Sequence, residues 1–79
     1  NYPNPFTSET RIEFYLPEDA RIVLEISDAQ GRKLHNLVEG QLSAGNHTAT
    51  WDAGRYAPGI YYCSLYADGE LLTKKMIKM

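Results

Sequence analysis

Apolar and polar residues alternate along much of the 79-residue chain, beginning at Thr10. A period of two residues predicts β-strands that are buried on one face. The first such stretch runs to Leu16, and a second follows a turn that begins at Pro17. Val23 interrupts the polar face of the second strand, which indicates that this face is partly covered. The residues expected to face the core are Ile12, Phe14, Leu16, Ile22, Leu24 and Ile26.

The third strand, at residues 33–39, is less regular and follows a turn at Asp28–Gly31. The apolar residues in it have a 1-4-5 spacing that fits a helical turn as well as a strand. Gly40 and the pair Ala44-Gly45 are predicted to bracket the loop that follows. The three apolar residues are Leu34, Leu37 and Val38.

Three more strands complete the pattern. Residues 46–52 alternate, with Trp51 on the apolar face, and a long loop follows. Residues 60–66 are nearly all apolar or aromatic, which is typical of a strand that is buried on both faces or central in its sheet. A turn at Ala67–Glu70 leads to a final strand at residues 71–79, whose lysines suit a sheet edge. Six or seven short strands without a helix of three turns indicate an all-β antiparallel sandwich.

Length and charge narrow the class of protein. A chain of this size forms one domain with a small core. The formal net charge of −2 argues against a nucleic-acid partner. No apolar run approaches the ~20 residues that span a bilayer. Because the chain begins at Asn1, without an initiator methionine, we expect it to be a piece of a longer protein.

Candidate chemistry is sparse. His35 and His47 lack the cysteine or carboxylate partners of a zinc site, and no serine lies in a Gly-x-Ser-x-Gly elbow. The scattered carboxylates could hold Ca²⁺, but turn capping explains them better. Cys63 lies in an apolar run and is expected to be a small buried hydrophobe. The tyrosines could form a sugar platform, although Tyr62 and Tyr66 also fit ordinary cross-strand packing.

The chain opens with Asn1-Tyr2-Pro3-Asn4-Pro5-Phe6, ahead of the first strand. Proline lacks a backbone donor and pushes the residue before it towards an extended conformation. We therefore expect a stiff entry segment that runs along the sandwich. Phe6 is its expected anchor in the core.

Several motifs follow this opening in order, and the ordered set is more specific than any one of them. Together they resemble the Ig-like C-terminal sorting domain of the type IX secretion system, which is related to hook-capping Ig-like domains. The resemblance covers residues 1–79. The motifs are TRIEFYLP at residues 10–17, Asp28-x-x-Gly31-Arg32, Gly45, Trp51-Asp52, Pro58-Gly59-Ile60-Tyr61 and Lys74-Lys75-Met76.

The resemblance implies one Ig-like antiparallel sandwich of about seven strands, at the C-terminus of a larger secreted protein of a Bacteroidota-type bacterium. Such a domain carries a covalently linked N-terminal cargo from the periplasm through an outer-membrane translocon to the cell surface. A sortase-like peptidase commonly removes it afterwards. The family uses no cofactor and has no catalytic residues. The positions that match its motifs are Pro3, Asn4, Pro5, Phe6, Gly31, Gly59, Tyr61, Lys74 and Lys75.

One departure concerns the last residues, where Lys78 stands between Ile77 and Met79 while family members often end in a more apolar strand. This departure bears on translocon recognition and hardly on the fold. The alternative function is an accessory Ig-like module of an extracellular enzyme, acting as a spacer or binding glycan.

Overall fold

The computed structural model describes residues 3–79, so Asn1 and Tyr2 of the entry motif lie outside it. Within this range the chain forms strands and turns, and no helix long and apolar enough to cross a membrane is present. The six strands are β1 (Glu9–Leu16), β2 (Ala20–Asp28), β3 (Lys33–Leu42), β4 (Gly45–Asp52), β5 (Gly59–Ala67) and β6 (Glu70–Lys78).

The strands form two antiparallel sheets that pack face to face. The smaller sheet pairs β1 with β4, and the larger has the order β3-β2-β5-β6. This division of strands is that of an Ig-like sandwich, with β1 and β4 in one sheet and β2, β3, β5 and β6 in the other. The described chain has six strands rather than about seven. In place of a further strand, Phe6 forms a single parallel bridge with Lys78 of β6.

The alternating residues face the core as predicted. Ile12, Leu16, Ile22, Leu24 and Ile26 are buried, and Phe14 is half-buried against them. In β5 the inward side chains are Tyr61, Cys63 and Leu65, as expected from the alternation. The predictions that β5 is central and that the lysine-rich β6 lies at an edge are both confirmed.

The prediction for β3 was too short, because Gly40 lies inside the strand, opposite Ile22. Two irregularities in the pairing of β2 with β3 account for the 1-4-5 spacing. Leu34 and Leu37 are each skipped in the register, so two residues of β3 oppose one of β2. Each bulge shifts which residues point inward, and Leu34, Leu37 and Val38 all pack on the core.

Candidate recognition surface

The entry motif is hydrogen-bonded to the last strand. Phe6 donates its N–H to the Ile77 carbonyl at 3.0 Å and accepts from the Met79 N–H at 2.8 Å. The Asn4 side chain accepts from the Ile77 N–H at 2.9 Å and donates to the Lys75 carbonyl at 3.5 Å. We call the segment Pro3–Phe6 the clasp, because it holds the outer edge of β6 from Lys75 onwards.

The clasp is also tied to the smaller sheet and to the core. The hydroxyl of Thr10, which is fully buried, donates to the Pro3 carbonyl at 2.8 Å. Phe6 is 2 % exposed, and its ring packs edge-on against Trp51 with centroids 5.8 Å apart. The expectation that Phe6 anchors the entry segment in the core is therefore confirmed. The proline pattern indicated an extended segment, but it gave no sign that Asn4 reaches residues more than seventy positions away.

Tyr61 holds the long loop between β4 and β5. Its ring packs edge-on against Trp51 at 5.3 Å, and its hydroxyl donates to the Ala57 carbonyl at 2.5 Å. Gly59 begins β5 with φ of +154°, a conformation that L residues with a side chain rarely adopt. It pairs with Lys78, beside the Phe6 bridge. Gly59, Tyr61 and the clasp therefore meet at one end of the sandwich.

Gly31 lies in the turn between β2 and β3, at φ of +84°. The Asp28 carboxylate organises this turn by accepting from the N–H groups of Gln30 at 3.0 Å and Arg32 at 2.9 Å. The Arg32 guanidinium adds an ion pair at 3.0 Å. The Arg32 N–H bond lowers the pKa of Asp28, and the Gln30 N–H bond and the Arg32 guanidinium lower it further, against the opposing effect of burial. Because Asp28 pairs with Tyr61, the turn lies at the same end as the clasp.

Lys74 and Lys75 do not form one basic patch. In the register, Lys74 lies opposite the inward residue Cys63, and Lys75 lies opposite Tyr62 on the outer face. The two ammonium groups are therefore on opposite faces of the edge strand. Both side chains are exposed. Of the nine motif positions, Lys74 lies outside the cluster formed by the clasp, Gly59, Tyr61 and the Gly31 turn. Lys75 contacts this cluster through its backbone carbonyl, which Asn4 bonds, and not through its side chain.

The inner face of β6 changes character along its length. Met76 is completely buried and Lys78 is 8 % exposed, whereas Leu72 on the same face is 65 % exposed. Beside Leu72, between β1 and β6, lies a groove of about 280 Å³. In the last three residues, Ile77-Lys78-Met79, the two apolar side chains are exposed and the lysine is buried. The aliphatic stem of a lysine can pack in such a position. The groove is lined mainly by Ile12, Phe14, Leu24, Leu65 and Leu72.

The aromatic residues between positions 3 and 79 do not form a continuous sugar platform. Trp51 and Tyr61 are buried in the core, where they contact Tyr56 and Phe6. Tyr62 and Tyr66 lie on the outer face of the larger sheet, as expected. The negative charge of Glu25, on the neighbouring strand β2, raises the pKa of the exposed Tyr66. These contacts fit cross-strand packing.

Three of the scattered carboxylates cap turns, as predicted, and Asp19 does so across the fold, from the turn before β2 to the turn before β4. Asp19 accepts from the Ala44 N–H at 2.8 Å and Asp52 from the Gly54 N–H at 3.0 Å, in addition to the Asp28 turn. Within residues 3–79, no three histidine, cysteine, aspartate or glutamate side chains are grouped as metal ligands would be. Cys63 is buried, and this burial raises the pKa of its thiol to about 11.

The fold and the clasp define an Ig-like sandwich whose entry segment closes onto its terminal strand. A family model described as "Secretion system C-terminal sorting domain" matches residues 1–79. The chain belongs to this family, the C-terminal sorting domains of type IX secretion. Searches of curated proteins and of solved structures found no significant match. Membership makes the chain a sorting signal for type IX secretion, and such a signal implies export through the outer membrane.

Proposed function

We propose that the chain is a folded, non-catalytic address label. It directs a covalently linked N-terminal cargo from the periplasm through an outer-membrane translocon, and a sortase-like peptidase of the same system then acts on the exported protein. The observation that carries this proposal is the family match over all 79 residues. Residues 1–79 act as one sorting domain of a larger secreted protein.

We propose further that the recognition surface is the terminal strand with the clasp. β6 is an edge strand, and an edge presents backbone groups that another chain can read by strand addition. The Lys75 side chain is exposed, and the Lys75 backbone carbonyl accepts from the Asn4 amide. The clasp bonds the backbone at Lys75, so the residue is presented on an edge that is already held in place.

The test uses the full-length parent protein. Deleting residues 72–79 should leave the cargo folded and active in the periplasm, and cell fractionation with an assay of the cargo measures this. The deletion also removes Met76 from the core and can therefore unfold the domain. A second variant is needed that leaves the fold intact. Lys75→Glu reverses an exposed charge and should lower the surface fraction of the cargo severalfold. Lys33→Glu, at the opposite edge of the same sheet, is the matched control.

Surface delivery of the truncated parent at the normal level would refute the sorting role. Loss of delivery on truncation, combined with normal delivery of Lys75→Glu, would retain the sorting role and remove Lys75 from the recognition surface.

A further inference from the structure

One part of the β6 edge is left open by the clasp. Successive residues of an edge strand point their backbone groups alternately towards the sheet and away from it. Ile77 and Lys75 use outward-pointing groups to bond Asn4 and Phe6. By alternation, the N–H and carbonyl groups of Leu71 and Thr73 also point outward. Among residues 3–79, none forms a hydrogen bond to those groups.

The side chains beside this open edge have a symmetric arrangement of charge. Glu70, Leu72 and Lys74 share the inner face of β6, since they pair with Ala67, Leu65 and Cys63 of β5. All three are exposed, and Leu72 is 65 % exposed. An acid and a base thus lie two residues either side of an exposed leucine. A strand with this pattern is complementary to a second copy of itself that runs in the opposite direction.

We propose that two copies of the chain pair antiparallel through this edge, with Leu72 opposite Leu72 on the twofold axis. Leu71 of each copy then pairs with Thr73 of the other, and each pair exchanges two hydrogen bonds. Glu70 of each copy lies opposite Lys74 of the other, and the two leucines cover each other. The contact is isologous, as a twofold dimer requires.

The same geometry sets the strength of this contact. The clasp occupies the edge from Lys75 onwards, so the pairing cannot lengthen in that direction. A ladder this short buries less surface than the roughly 1,000 Å² expected of a stable interface, so the dimer is transient. We therefore expect self-association at high protein concentration only. The dimer uses the same edge that we propose for strand addition, but it is tested on the isolated chain, so its failure would leave the proposed sorting role standing.

The experiment is sedimentation velocity over a concentration series, with charge-reversal variants. Glu70→Lys alone and Lys74→Glu alone each place like charges opposite one another at two positions of the dimer. From cross-strand pair energies, each should raise the dissociation constant by about tenfold. The double variant Glu70→Lys/Lys74→Glu restores opposite charges in both pairs. It should return the dissociation constant to near that of the natural chain.

A second pair of variants tests the backbone bonds. Thr73→Pro removes an outward N–H on an edge strand, where proline is tolerated, and should abolish dimerisation while the monomer stays folded. Thr73→Val is the matched control. Like the proline variant it loses the Thr73 hydroxyl that contacts Ser64, but it keeps the backbone N–H, so it should still dimerise. Circular dichroism confirms that both monomers are folded.

A crosslink reports the register. Leu72→Cys should form a disulfide-linked dimer under mild oxidation, since opposite residues of a non-hydrogen-bonded pair lie about 4.5 Å apart at Cα. Lys33→Cys should not. A chain that stays monomeric at millimolar concentration would overturn the proposal. So would a double charge variant that dimerises no better than the singles. The Leu71 and Thr73 amides should exchange freely at concentrations where the chain is monomeric. If they are protected there, another segment of the same chain covers the edge, and the proposal is overturned.

Discussion

At the level of single residues, the side chains that hold the clasp in place are short or buried. Asn4 bonds two backbone groups of β6, and the hydroxyl of Thr10 holds Pro3. The Asn4 amide takes the place of backbone hydrogen bonds that a longer entry strand would make to the edge of β6. Since a net hydrogen bond is worth about 1 kcal/mol, these contacts matter to a domain of this size.

Cys63 gives a prediction at this scale. Its thiol is 5 % exposed, and its pKa is raised to about 11 by burial. At pH 8.5 about half of an unfolded thiol is ionised, against on the order of 0.3 % at a pKa near 11. Alkylation of the folded chain should therefore be at least about a hundredfold slower than in urea, and mass spectrometry of quenched samples measures this. The control is Ser64→Cys in a Cys63→Ala background, because residue 64 lies on the outer face of β5. Equal labelling rates with and without urea would contradict the buried placement.

At the level of strands and turns, local sequence decides most but not all of the structure. The alternation in β1 and β2 gave both strands and the correct inward faces. The Asp68-Gly69 pair gave the hairpin, where both residues have positive φ, as a two-residue turn of this type requires. β3 could not be predicted in detail. Its apolar spacing follows the bulges opposite Leu24 and Ile26, and a bulge is a property of two strands together.

The Asp28 turn gives a prediction about pH. Because hydrogen bonds and Arg32 lower the folded pKa of Asp28, its contribution to stability is present above the unfolded pKa, near 3.9. That contribution is lost as the pH falls through the lower, folded pKa. Asp28→Asn should therefore be less stable than the natural chain at pH 7, and the difference should shrink towards pH 2.5. Urea denaturation at both pH values measures it.

The control for this experiment is Glu18→Gln, which removes a carboxylate from an exposed turn position. It should change the urea midpoint little at either pH. A difference between Asp28→Asn and the natural chain that grows on acidification would contradict the assigned role of the turn.

At the level of the whole molecule, the clasp connects the first described residues with the last strand and with the smaller sheet. The sequence predicted that Phe6 enters the core, because an aromatic residue followed two prolines just before the first strand. It could not predict where Asn4 binds, since the contact joins residues 73 positions apart. Nor could it show that Lys78 is buried, because that burial depends on Phe6 bridging to β6.

Replacing Phe6 tests how far the fold depends on the clasp. Phe6→Ala should cost about 3–5 kcal/mol, as for other buried aromatic residues. This is a large part of the total for a small domain, so the melting temperature should fall by well over 10 °C. Phe6→Leu keeps an apolar anchor and should cost clearly less. Thermal denaturation followed by circular dichroism compares the two. A cost below about 1 kcal/mol for Phe6→Ala would show that the sandwich does not need the anchor.

The direction of the clasp has a mechanical consequence. Phe6 runs parallel to the end of β6, so a pull on the chain ahead of Pro3 and an opposing pull at Met79 act along neighbouring strands in opposite directions. The hydrogen bonds between Phe6, Ile77 and Met79 then lie across the direction of force and are loaded together in shear. Bonds loaded together resist more force than bonds that open one after another. The domain can therefore stay folded under tension between its two ends, while a sideways pull on β6 alone would peel it away.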